Sequence, residues 1–172
     1  MNMIDPKVIE HPSPNFGDRR PPYSETGPRL IVLHYTDMVP VEAALDRLCD
    51  PQAEVSAHYL IGRNGAIYRL VDEAKRAWHA GTSRWLVEGR EETDINSASI
   101  GIELDNPGHT NGYVPFAEAQ LESLYGLCAD IMRRHSIPIE NIVGHSDIAP
   151  GRKQDPGELF PWPEFRQRLK EI

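Results

Sequence analysis

Residues 29–36 read Arg-Leu-Ile-Val-Leu-His-Tyr-Thr, an apolar run without polar alternation. A strand with one wet face alternates with period two, so a run like this fits a strand covered on both faces. Together with the helical patterns elsewhere, that predicts an α/β fold: a single domain with a central mixed β-sheet flanked by helices. The run stops at a histidine, His34. A second short apolar run, Ile142-Val-Gly, stops at His145, and the loop that follows, bracketed by Pro150-Gly151 and Pro156-Gly157, carries Asp155.

The remaining elements follow from periodicity. Ala44, Leu45 and Leu48 share one face of a helix over 41–49, and Leu121, Leu124, Cys128 and Ile131 one face of a helix from Pro115 to about His135. Strands are predicted over 57–63 and 66–71, joined at Asn64-Gly65, a type I′ turn signal. Another strand is expected over 97–104, and a last helix opens at Pro161. Residues 1–28, rich in proline, read as an extended arm packed on a domain formed by 29–172. The polar stretch 83–94 is long for a connection and is expected to be mobile. Cys49 and Cys128 read as buried free thiols, and His11, His109 and His135 as surface residues.

A net charge of −8 over 172 residues argues against a nucleic-acid binder. No apolar segment is long enough to span a bilayer. The first residues carry neither an apolar leader nor a lipidation signal, which favours a cytoplasmic protein. The periplasm is the alternative if a leader has been removed.

A histidine at a strand end is ordinary. Two of them, at the ends of two core strands, are more informative, because ligand sites in open sheets collect at strand ends. With Asp155 they make a three-ligand set of the kind that holds zinc and leaves a position open. The expected site is a groove at the strand ends, and the expected chemistry is that of a metallohydrolase.

Five segments in order resemble one family: Val32-Leu-His-Tyr-Thr, Val55-Ser-Ala-His-Tyr-Leu-Ile, Arg76-Ala-Trp-His-Ala-Gly81, Ser99-Ile-Gly-Ile-Glu-Leu104 and Val143-Gly-His-Ser-Asp-Ile-Ala-Pro-Gly-Arg-Lys-Gln-Asp-Pro-Gly157. They are similar to the zinc-dependent N-acetylmuramoyl-L-alanine amidases (amidase type 2), a family shared with peptidoglycan recognition proteins. The resemblance implies one Zn2+ held by His34, His145 and Asp155, and a muropeptide or peptidoglycan substrate. The bond cut would join N-acetylmuramic acid, or its 1,6-anhydro form, to L-alanine of the stem peptide. It implies Glu103 as general base and acid and Lys153 as oxyanion cation. It also puts the Trp78-His79 turn beside the groove. Asn96 is a further candidate substrate contact, as is Arg63, although Arg84 and Arg90 would suit a stem-peptide carboxylate equally well. His58 and Tyr59 read as structural. The lack of an export signal points to bacterial muropeptide recycling. The rivals are an exported wall amidase of broad specificity and a non-catalytic peptidoglycan-binding module.

Overall fold

The computed structural model describes residues 8–172; the first seven residues of the N-terminal arm lie outside the described residues. A six-stranded sheet runs through the molecule. Its strands are β1 (Val8–Glu10), β3 (Leu30–Tyr35), β4 (Tyr59–Ile61), β5 (Ile67–Arg69), β9 (Ser99–Leu104) and β10 (Ile142–Gly144). The spatial order is β1-β5-β4-β9-β3-β10. The pairs β4–β9, β9–β3 and β3–β10 are parallel, as is β1–β5, and β4–β5 is antiparallel, so the sheet is mixed. Two small antiparallel ribbons lie outside it: β2 (Phe16–Asp18) with β6 (Lys75–Ala77), and β7 (Trp85–Val87) with β8 (Arg90–Glu92).

All six residues of β3 are buried, as an unalternating apolar run requires. Side chains still alternate between the two faces. Ile31 and Leu33 join Ile100, Ile102 and Leu104 of β9 under α5 (Glu118–His135) and α7 (Trp162–Lys170), where Leu124, Cys128, Ile131 and Phe165 complete the main core. Leu30 and Val32 point the other way, towards Ala80, Ile95, Val143 and Ile148. The same alternation puts His34 on that second face. Pairing of His34 with Glu103 in the β3–β9 register puts Glu103 there too, along with Ser99 and Gly101. Helix α2 (Val41–Cys49) covers a third cluster through Ala44, Leu45 and Leu48.

Several expectations need correction. The β4–β5 connection is not type I′, because Asn64 keeps negative φ. Gly62 and Ala66 pair (N to O, 2.9 Å) across three loop residues, and Gly65 takes φ 86°. That is a type I turn closed by a glycine bulge. The primed geometry sits instead inside 83–94, where Glu88 (φ 49°) and Gly89 (φ 80°) join β7 to β8. The helix expected from Pro115 starts at Glu118, with Phe116 held on Phe160 at 5.6 Å between ring centroids. The strand expected from Ser97 starts at Ser99, after one helical turn, α3 (Ile95–Ala98), capped by Asp94. From residue 8 on, the N-terminal segment supplies β1, β2 and α1 (Tyr23–Thr26). Cys49 is only half-buried; Cys128 is buried, and both are free. His109 and His135 are not bare surface residues. His109 bonds the Tyr35 hydroxyl (2.8 Å) and Glu158 (2.9 Å), and His135 bonds Glu73 (2.7 Å).

Candidate metal centre and its cleft

Parallel strands end together, so β9, β3 and β10 deliver Glu103, His34 and His145 side by side at their C-terminal ends. The loop after α6 (His145–Ile148) brings Asp155 back beneath them, with Asp155 O accepting from Ser146 N at 3.0 Å. His34 Nδ1 lies 3.0 Å from His145 Nδ1 and 3.1 Å from Asp155 Oδ2, and His145 Nδ1 lies 3.2 Å from that oxygen. All three residues are at most 6 % exposed.

The outer nitrogens of the two imidazoles have fixed partners. His145 Nε2 is 3.0 Å from Ala80 O, and a carbonyl can only accept, so Nε2 carries the proton. His34 Nε2 is 2.9 Å from His79 Nδ1, and His79 Nε2 is 2.9 Å from Ser99 Oγ. Burial, reinforced by the neighbouring His145, lowers the His34 pKa to about 4, and burial holds His79 well below the usual imidazole range, so both are neutral. When the inner nitrogens of the two rings carry no proton, two lone pairs and a carboxylate oxygen converge on one point. A buried cluster of acceptors is costly unless a cation joins it. Ligand atoms ~2.0–2.1 Å from zinc stand about 3.3 Å apart in a tetrahedron, close to the spacing here. The donor set therefore fits a zinc-sized cation, held by three protein atoms.

A cleft of about 340 Å³ opens over this trio. Its walls include Trp78, His79, Glu103 and Lys153, together with Arg47 and Arg152, which the sequence pattern did not single out. Glu103 Oε2 is buried without a hydrogen-bond partner. Burial, and then the charge of Asp155, raise the Glu103 pKa well above the usual carboxylate range.

Asn96 and Arg63 do not reach the cleft. Asn96 Oδ1 accepts from the backbone N–H of His79 (3.1 Å) and Ala80 (2.9 Å), pinning the 78–81 segment from behind. Arg63 is exposed and donates to Pro115 O at 3.3 Å. His79 lines the cleft, but both its nitrogens are engaged inside the protein. Arg152 clamps the same segment, donating to Ala80 O (2.8 Å) and Thr82 O (2.8 Å). His58 is structural: Nδ1 accepts from Gly101 N (3.0 Å) and Nε2 donates to Lys75 O (2.9 Å). Tyr59 lies away from the cleft, with its hydroxyl on Glu73.

An open site of this kind, at the strand ends of an α/β sheet with an unpaired carboxyl beside it, defines a candidate mononuclear metallohydrolase. Comparison with known proteins narrows the class. The N-acetylmuramoyl-L-alanine amidase profile matches residues 24–158, and the chain belongs to that family. It is 43 % identical over 152 residues to N-acetylmuramoyl-L-alanine amidase AmiD of Escherichia coli (strain K12), covering 81 % of this chain and 52 % of that protein. It thus spans about half the length of that relative. It is 37 % identical over 184 residues to 1,6-anhydro-N-acetylmuramyl-L-alanine amidase AmpD of Enterobacter cloacae, covering 97 % of this chain and 91 % of that one. Among solved structures, E. coli AmiD in complex with the substrate anhydro-N-acetylmuramic acid-L-Ala-D-γ-Glu-L-Lys superposes with a TM-score of 0.73. That match has 40 % identity over 82 % of this chain and 57 % of the other.

Proposed function

We propose that this chain is a zinc amidase. It hydrolyses the amide between the lactyl group of N-acetylmuramic acid, including the 1,6-anhydro form, and L-alanine of the stem peptide. The observation that carries the reading is the convergence of His34, His145 and Asp155 under a cleft that also holds the unpartnered Oε2 of Glu103. The activity for which AmpD is named and the substrate held by AmiD supply the substrate class.

His34, His145 and Asp155 would hold one zinc ion, which supplies Lewis acidity towards water and the amide carbonyl. Glu103 takes the proton of the attacking water as the water oxygen bonds to the carbonyl carbon. It returns that proton to the L-alanine nitrogen as the C–N bond breaks. A carboxyl with a raised pKa suits both halves of that exchange. Lys153 lines the cleft, and its ammonium would stabilise the carbonyl oxygen as that oxygen gains charge. Trp78 offers an indole face to sugar or peptide. We take residues 29–172 as the catalytic unit, with the described part of the segment before it packed on that unit as β1, β2 and α1.

Among the described residues no helix is long and apolar enough to cross a membrane. With AmpD matched over nearly the whole chain, we place the enzyme in the cytoplasm, acting on muropeptides released by wall turnover. The test is mass spectrometry of products from anhydro-muropeptides and intact sacculi in parallel. Free L-alanyl peptides from the soluble substrate support recycling. Release from both substrates would move the enzyme to the wall, and release from neither would overturn the amidase reading.

A further inference from the structure

The Trp78–Gly81 segment orients both imidazoles of the metal trio, through the Ala80 carbonyl for His145 and the His79 ring for His34. For His34 the outcome depends on which nitrogen of His79 carries the proton. If His79 Nδ1 bore it, His34 Nε2 would have to accept. The His34 proton would then move to Nδ1, 3.1 Å from Asp155 Oδ2. That arrangement makes a good hydrogen bond and leaves no lone pair for a cation.

Ser99 decides between the two. Its hydroxyl lies 2.5 Å from Ile95 O. A carbonyl has no proton to give, so the serine proton must occupy that contact. Ser99 Oγ is then left as an acceptor towards His79 Nε2, which must be the protonated nitrogen. His79 Nδ1 in turn can only accept, and it draws the Nε2 proton of His34 towards itself. The sheet makes room for this chain of bonds. Ser99 and Gly101 are the small residues on the His34 face of β9, and a Cβ on Gly101 would lie 2.4 Å from His79 Cγ.

We propose that Ser99 and His79 are positioning residues that lock His34 in its Nε2–H tautomer, keeping Nδ1 free for metal. Partners of this kind to ligating histidines commonly contribute about 10–100-fold in metal affinity. The inference rests on the zinc reading above, but the tautomer itself can be read without metal.

The experiment has two arms. In metal-free protein, long-range 15N–1H correlation of the histidine rings should show His34 as Nε2–H in wild type. His79→Ala should shift it towards Nδ1–H. Zinc affinity, measured by chelator competition, should fall about 10–100-fold in His79→Ala and by less in Ser99→Ala. His79→Asn should recover most of the loss, because Oδ1 can accept where Nδ1 did. A wild-type His34 in the Nδ1–H form, or a His79→Ala variant that folds and binds zinc as wild type does, would overturn the proposal. Failure of wild type to bind zinc would sink the metal reading, while the ring tautomer would still judge the relay.

Discussion

Two polar clusters occupy opposite ends of the sheet, and both are rich in histidine and carboxylate. At the N-terminal ends of the parallel strands, Glu73 accepts from Tyr59, Arg134 and His135. Arg19, 5 % exposed, donates to the carbonyls of Glu73 (2.7 Å), Ser97 (2.7 Å) and Ser99 (2.9 Å). His58 has an acceptor on one nitrogen and a donor on the other. Each of these groups has a hydrogen-bond partner within the fold. At the C-terminal ends, three candidate metal-ligand atoms converge and Glu103 Oε2 has no hydrogen-bond partner. Size does not separate the two, since the cavity beside Glu73 is about 580 Å³ against 340 Å³ over the metal trio. What separates them is satisfaction: a completed network ties parts of the fold together, and an incomplete one leaves capacity for a ligand.

That contrast can be broken at either end. The largest effect is expected from His34→Ala, which should abolish stoichiometric zinc and amide hydrolysis together. Metal analysis after dialysis checks it, and retained zinc would remove His34 from the ligand set. Glu103→Gln should keep zinc and lower kcat by ~10²-fold or more, the scale of a lost general base. Near wild-type turnover would take Glu103 out of the chemistry. Lys153→Ala should raise the barrier by about 3 kcal/mol; a change confined to KM would assign Lys153 to binding instead.

The opposite end should respond in stability alone. Glu73→Gln should cost about 2 kcal/mol in chemical denaturation and leave zinc affinity and kcat unchanged. A change in kcat would show that the two ends are coupled. The smallest effect is in pH. Burial pushes the Glu73 carboxyl up, but hydrogen bonds from Arg134, Tyr59 and His135 outweigh it and hold the pKa at about 2 against an ordinary 4.5. A folded pKa below the unfolded one stabilises above about pH 4.5 and is lost as pH falls towards 2. The Tm gap between wild type and Glu73→Gln should therefore narrow between pH 5 and pH 3.

The functional end was more legible in sequence than the structural one. His34 and His145 end apolar strands, and Asp155 sits in a loop punctuated by Pro and Gly, so local pattern exposed them, whereas Glu103 stood out through the family resemblance of its strand. Ser99 carried no such signal, and His79 stood out only as part of the Trp78–Gly81 turn beside the groove, not as a partner of His34. Their meeting depends on how the 78–81 segment lies over the register of β9, which is a long-range fact. The one available hint was that Ser99 and Gly101 alternate with Ile100 and Ile102, leaving a small-residue face beside His34. Arg19 was hidden in a proline-rich arm, and its burial depends on carbonyls about eighty residues away in the chain. The hairpin at Glu88-Gly89 was missed because glutamate is not a residue expected at positive φ.

Zinc stoichiometry and hydrolysis measured on the same samples of wild type test the zinc amidase reading most directly. Metal-free chain is titrated with zinc while release of L-alanyl peptide from an anhydro-muropeptide is followed. Activity should rise with zinc and saturate at one equivalent. Full hydrolysis in metal-free chain, or one bound zinc with no hydrolysis, would contradict it.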